Sequence, residues 1–409
     1  MKKINLYIFS EYNKSFVYGI GTYLNELTAS LPKELVNITL VHLNTEEQQI
    51  RIKKIDHIKH WYLPSAKENS FMDNEERSKQ YYRNVVYLLQ LHIPDTGQLI
   101  FHLNCMYSQI LAEKLKSVFN CKLCLSIHYL TWSFDLLGNI SRFKSLLDSA
   151  PEQQDREFVY KSYRRDIELF ETVDHIICLS LNTYEIIRHI YKQDFHKLSV
   201  VYNGLSDHRQ INKKNVLRRK YRLSKIPVVF FVGRLDEVKG LKYLVAAFKK
   251  VLETMPHCRL IIAGNGDFQT YMNVCEDIWT SVTFTGLIDK KHLHELYTLA
   301  DIGVMTSFHE QCSYVAIEMM MHGIPLIGTT STGLNEMIEE GNSGLHIPVE
   351  EYPDKVEIDT VLLAEKIIYL FQNPKERECM RLNSRKRYEA LYTSEIMGKK
   401  MLDIYQSLC

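Results

Sequence analysis

Residues Asp301–Gly328 read DIGVMTSFHEQCSYVAIEMMMHGIPLIG. The stretch parses as a strand (Asp301–Ser307), a polar loop, a short helix (Tyr314–Met321) and a second strand (Ile324–Gly328). Ser313 suits the N-cap, Gly323 the C′ position, and Pro325 follows where a helix cannot continue. Strand, helix and strand in so short a span make one unit of a parallel α/β sheet. Within it Glu310 and Glu318 stand eight positions apart across the helix start. The amides of Tyr314, Val315 and Ala316 lead the helix with the positive end of its dipole, which favours a phosphate or a negatively polarised oxygen. Two carboxylates around an anion site suit one polyol each. Taken alone, the pair is equally compatible with ordinary capping and a solvated surface.

Working outward, the same alternation fills the second half of the chain. Val228–Gly233, Cys258–Gly264, Val282–Gly286 and Gly344–Val349 read as further strands with helical patterns between them, a doubly wound domain. The first half repeats it with Ile4–Ser10, Asn37–Asn44, Gln98–Asn104, Cys121–His128, His175–Ser180 and Leu198–Gly204. Helical patterns at Gly21–Leu31, Tyr107–Phe119 and Asn182–Tyr191 lie between them. The fold class is therefore α/β, with two Rossmann-like doubly wound domains whose ligands are expected at the carboxyl ends of the strands. A basic, polar run at His208–Lys225 marks the boundary and reads as a solvated linker helix. The expected domains are 1–205, 206–385 and a helical tail 386–409. Two charged insertions, Lys67–Leu91 and Ser141–Phe170, read as solvated helices that also qualify as candidates for acceptor recognition.

Composition limits the function. With 409 residues, 45% hydrophobic and 24% charged, the chain is globular, and a formal net charge of +1 argues against a general nucleic-acid binder. The apolar start breaks at Ser10 and Glu11, too soon for a secretory signal, and no stretch approaches the roughly 18 to 20 apolar residues of a membrane span. Nine cysteines scattered through apolar surroundings suit reduced thiols. Cys121 and Cys124 form a CxxC without a second ligand pair at zinc spacing, so they read as core, and no metal site is expected.

Several side chains are placed for chemistry. In GRLDEVKG, Gly233, Arg234 and Lys239 follow a strand, where the two cations either neutralise a diphosphate or pair on the surface with Asp236 and Glu237. Ser331–Glu336, with Gly333 and Asn335, is a small-residue loop feeding a helix and offering amides to phosphate oxygens. Gly19 and Gly21, after Tyr18, stand between the first strand and first helix, where backbone approaches a ligand or simply turns tightly. His128 ends a strand, either as a structural histidine or facing a ligand.

Together these segments resemble the retaining glycosyltransferases of the GT-B fold, family 4. The resemblance is carried by most of residues 228–349, including FVGRLDEVKG, LIIAGNGDF, the E-x7-E spacing and NSGLHIPV. It is thinner over GIGTYLNEL, SIHYL, IICLSLNTYEIIRHIY and LSVVYNG. It implies retaining transfer, of hexosyltransferase type and metal-independent, from a nucleotide-diphosphate sugar, taken first as a UDP-sugar. It assigns Arg234 and Lys239 to the diphosphate, Glu318 to the ribose, Glu310 and His128 to the donor sugar, and Gly21 to the phosphates. It also implies that the tail crosses back to the first domain. The family commonly has E-P-F-G where this chain has Glu310-Gln311-Cys312-Ser313, which alters the surface beside the sugar. No cofactor beyond the donor substrate is expected, and a front-face path is implied. The other reading is a non-catalytic sugar-nucleotide-binding subunit or sensor.

The acceptor stays open among glycan, small molecule, peptide and lipid-linked hydroxyls. Residues 1–205 hold 24 basic and 23 acidic residues, a balance that mildly favours a soluble acceptor. The expected location is cytoplasmic, with peripheral contact at the inner membrane face left open.

Overall fold

In a computed structural model of the chain, residues 3–11, 19–65, 74–93, 97–148, 154–209 and 213–409 are described. Tyr18 and parts of the two charged insertions and of the linker fall outside these residues. The chain forms two compact units. One comprises Met1–Trp132, Leu146–Gly204 and Ser394–Cys409; the other comprises Ser133–Ser145 and Leu205–Thr393.

The first unit carries β1 (Ile4–Glu11), β2 (Val36–Thr45), β3 (Arg51–Ile55), β4 (Ile58–Pro64), β5 (Leu99–Leu103), β6 (Lys122–Ile127), β7 (His175–Cys178) and β8 (Leu198–Val200). They form an eight-stranded sheet in the order β3-β4-β2-β1-β5-β6-β7-β8. Every pairing is parallel except β3 with β4. The alternation of apolar runs and helices anticipates six of these strands. The β3–β4 hairpin does not figure in it, because β3 (RIKKI) is exposed along its whole length. Its lysines suit an edge strand that discourages further pairing. The final helix, Ser394–Leu408, packs in this unit, where the Tyr405 hydroxyl meets His102 Nδ1 at 2.8 Å.

The second unit carries β9 (Val228–Val232), β10 (Arg259–Ala263), β11 (Val282–Gly286), β12 (Ile302–Met305), β13 (Leu326–Thr329) and β14 (Gly344–Ile347), all parallel in the order β11-β10-β9-β12-β13-β14. A short antiparallel pair, β15 (Val349–Glu351) and β16 (Val356–Ile358), follows. On one face Leu244, Phe248 and Val251 of helix Leu241–Thr254 join Leu363, Ile367 and Leu370 of helix Thr360–Gln372 in a continuous core. Each such side chain contributes about 1.5–3 kcal/mol on burial.

The division differs from the expected boundaries in two places. The tail rejoins the first unit at Ser394, and residues 133–145 pack with the second unit although they lie in the first half of the sequence. The Asn139 amide donates to Tyr352 O at 2.7 Å, and Ser141 N donates to Glu351 Oε2 at 3.2 Å. Gly138 has φ +73°, and a Cβ there would lie 2.6 Å from Phe308 O. Contacts that bridge more than 200 residues leave no local pattern to read.

Candidate functional site

In the second sheet β9 connects onward to β10 on one side, while β12 lies on its other side, so the strand order reverses between β9 and β12. Ligands of open α/β sheets bind outside the carboxyl ends of the strands at such a reversal. Gly233 and Arg234 follow β9 there, and Thr306–Glu310 follow β12. Lys239 closes a single helical turn, Glu237–Lys239, capped by Asp236, which accepts from Lys239 N at 3.2 Å. Thr306 Oγ1 donates to Lys239 O at 2.9 Å. Gly240 makes that approach possible: its φ is +60°, and a Cβ would lie 2.1 Å from Thr306 O.

Lys239 Nζ donates to Glu310 Oε1 at 2.5 Å, with the two side chains only 19% and 12% exposed. The Glu310 backbone is held in turn by the start of helix Thr332–Met337. Glu310 N donates to Thr332 Oγ1 at 2.9 Å, and Gly333 N donates to Glu310 O at 2.8 Å. Ser331 Oγ donates to Ser307 O at 2.7 Å, tying the same loop further down. His309, beside Glu310, is buried, its Nε2 3.0 Å from Ser133 Oγ and its ring edge-on to Phe134. Burial pushes its pKa down to about 4, with Glu310 opposing and Lys239 assisting.

Glu318 lies inside helix Tyr314–Met321, whose C-terminus closes through Gly323 N to Met320 O at 2.9 Å. The Tyr297 hydroxyl donates to Glu318 Oε2 at 2.6 Å. Burial raises the Glu318 pKa, and the Tyr297 hydrogen bond and then Lys290 oppose the rise. His322 stacks on the Tyr297 ring with centroids 5.3 Å apart, and His322 Nε2 meets His294 Nδ1 at 2.8 Å.

The two cations part company, and two expectations are corrected. Arg234, 52% exposed, pairs with Asp236 at 3.1 Å, whereas Lys239 leaves its acidic neighbours for Glu310. Ser313 takes the N-cap position with an extended backbone but makes no side-chain cap bond, and its N–H meets Met337 Sδ. In the Ser331–Glu336 loop, Gly333 N–H is committed to Glu310 O, and the N–H groups of Leu334 and Asn335 to Ser331 O. That loop braces Glu310 instead of offering these amides to phosphate. Tyr314 and Val315 are half-buried and Asn335 is exposed. Tyr297 and His309 join the site only through the structure, because an aromatic or histidine amid apolar residues carries no local mark of its partner.

In the first unit, His128 follows β6 with Nε2 2.9 Å from Asn104 Oδ1, and the Asn104 amide nitrogen donates to Phe9 O at 3.3 Å. Asn104 Oδ1 therefore accepts, so His128 Nε2 carries the hydrogen and Nδ1 the lone pair. The ring packs edge-on to Tyr23 at 4.7 Å, and burial pushes its pKa down to about 3. Gly19 and Gly21 are corrected in position: helix Gly19–Ser30 begins at Gly19, so both lie in its first turn and not before it. Amides there lack intrahelical partners, which limits the cost of glycine. Among the described residues, no group of three or more His, Cys, Asp or Glu side chains is placed to hold a metal ion. No described helix is long and apolar enough to cross a membrane.

The profile of the glycosyl transferases group 1 family matches residues 226–373. Alpha-D-kanosaminyltransferase of Streptomyces kanamyceticus is 26% identical over 47% of this chain and 48% of its own length. The chain spans about half the length of the curated relatives it matches. Among solved structures, sucrose-phosphate synthase from Thermosynechococcus elongatus superposes with TM-score 0.76 at 21% identity, covering 99% of both chains. Anabaena HepE in complex with UDP superposes with TM-score 0.73 at 15% identity over 99% of this chain and 100% of that one. The chain thus has the GT-B fold of two Rossmann-like units, and its residues 226–373 match the model of the glycosyl transferases group 1 family.

Proposed function

We propose that this protein is a retaining glycosyltransferase that moves a sugar from a nucleotide-diphosphate donor, a UDP-sugar first, to a hydroxyl of an acceptor. The observation that carries the reading is the buried Lys239–Glu310 pair at the strand reversal, with Glu318 one helix start away. Lys239 Nζ has three hydrogens and spends one on Glu310, leaving two for phosphate oxygens. Arg234, at the exposed end of β9, closes on the same diphosphate. Both cations and the dipole at Tyr314–Ala316 stabilise the charge that grows on the diphosphate as the sugar leaves, which is the role a metal ion fills in other transferases.

Glu310, charged beside Lys239, accepts from hydroxyls of the donor sugar, and Glu318 uses the oxygen not held by Tyr297 for the ribose hydroxyls. His128, neutral with a lone pair on Nδ1, accepts a hydroxyl hydrogen from the donor sugar. The departing phosphate oxygen takes the acceptor proton on the same face, so the new glycosidic bond forms where the old one breaks and configuration is kept. HepE has been solved with UDP-glucose, which supports a UDP-sugar as the first donor tried.

The test is a donor screen: UDP-, GDP- and ADP-sugars incubated separately with the protein, nucleotide release measured, and Glu318→Ala as control. Release from one donor, lost in the variant, is expected. Release unaffected by Glu318→Ala, or product of inverted configuration by NMR, overturns the site or the stereochemistry respectively.

A further inference from the structure

The amino ends of β12 and β13 form the edge of the second sheet opposite the proposed donor site. A cavity of about 720 Å³ opens there, beside Ala300–Asp301 and Gly323–Pro325. That volume lies within the range of small-ligand sites. Its charge is the informative feature. Asp301 is shared by Lys214, at 3.0 Å, and Arg218. Asp207 is shared by Arg209 at 2.9 Å and Arg385 at 2.6 Å, and Glu378 is held by Arg381 at 2.8 Å. Arg377, also on the wall, donates to the carbonyl oxygens of Leu370 and Phe371. On the lining itself four cations, Arg209, Lys214, Arg377 and Arg381, thus stand against three carboxylates, with Arg218 and Arg385 behind them, the latter also held by Glu389 at 2.7 Å. The helix Pro374–Leu391 begins on the same wall, with Pro374 in its first turn and no side-chain cap from Asn373, so the positive end of its dipole adds to the excess.

His322, on the wall, registers the same field. Burial is the main cause that pushes its pKa down to about 3, and His294, Arg209 and Arg385 push it further, against Asp207.

An ion-pair network whose only role is structural needs no surplus of cations, and a basic concavity focuses anions. We propose that this cavity is a second ligand site, separate from that of Lys239 and Glu310, for a small phosphorylated polyanion of diphosphate charge. Arg377 and Arg381 are the side chains from the helix start that meet it, with Lys214 and Arg209 facing them.

Inorganic pyrophosphate is the probe, titrated calorimetrically into the full chain carrying Lys239→Ala, which removes the buried cation of the proposed donor site; Arg234 stays there, and the substitutions added in the second cavity tell the two sites apart. Binding is expected to persist, to weaken with added salt, and to weaken about tenfold or more when Arg381→Glu is added, since charge-assisted contacts are lost. Arg381 is exposed, so the fold tolerates the change, and Arg377→Gln gives an independent second variant. No pyrophosphate binding to the Lys239→Ala protein, or binding indifferent to both added substitutions, overturns the proposal.

Discussion

The Tyr297 hydroxyl donates to Glu318 Oε2 at 2.6 Å from a ring that is itself fully buried, so one oxygen of Glu318 is committed inside the protein and the other is aimed by it. Removing that donor leaves a carboxylate less able to stay ionised. Tyr297→Phe is expected to raise the nucleotide Kd about tenfold, on the scale of a hydrogen bond to a charged group, and to move the lower limb of its pH profile upward. Calorimetric titration of UDP across pH 5 to 8 measures both, and an unchanged profile would falsify the aiming role.

Glu318 also sets a pH dependence of stability. Its folded pKa lies above the ordinary carboxylate value because of burial, so between the two values the native state binds more protons than the unfolded state. This contribution therefore destabilises progressively as pH rises from the ordinary carboxylate range through the raised value. Glu318→Gln is expected to raise the Tm of the ligand-free protein at pH 8 relative to wild type, by more than at pH 4, while abolishing nucleotide binding. A Tm lowered equally at both pH values would show that the carboxylate is not strained by its burial.

The Lys239–Glu310 pair is mostly buried, and removing one partner strands the other charge. Lys239→Ala is expected to cost about 3 kcal/mol, whereas Lys239→Ala with Glu310→Ala costs less than the sum of the two single changes. Urea unfolding of the four proteins closes the cycle; additive losses mean the contact is not energetically coupled.

Arg234 behaves oppositely. Its exposed contact with Asp236 is worth at most about 1 kcal/mol, so Arg234→Ala is expected to leave the unfolding midpoint nearly unchanged while sharply lowering nucleotide release from the donor. A parallel loss of stability and turnover would place Arg234 in the scaffold instead.

Asn104 fixes the ring of His128 from a neighbouring strand end. Asn104→Leu is expected to lower kcat/KM about tenfold with little effect on nucleotide Kd, because the role proposed for His128 is at the donor sugar and not at the nucleotide. An equal effect on free-nucleotide affinity counts against that assignment.

Sequence alone determined the α/β alternation, the helix Tyr314–Met321 and the spacing that puts Glu310 before its start and Glu318 inside it. These are local, set by periodicity, turn residues and helix rise over a few positions. Only the tertiary structure decided that Lys239 and not Arg234 meets Glu310 across 71 residues, that Gly333 braces Glu310, and that Tyr297 aims Glu318. It also decided that residues 133–145 pack against the loop of Phe308 and His309, with Ser133 reaching His309 across 176 residues. A side chain's partner is chosen by which strand ends the sheet order brings together, and strand order is a global minimum of burial that no single window of residues encodes.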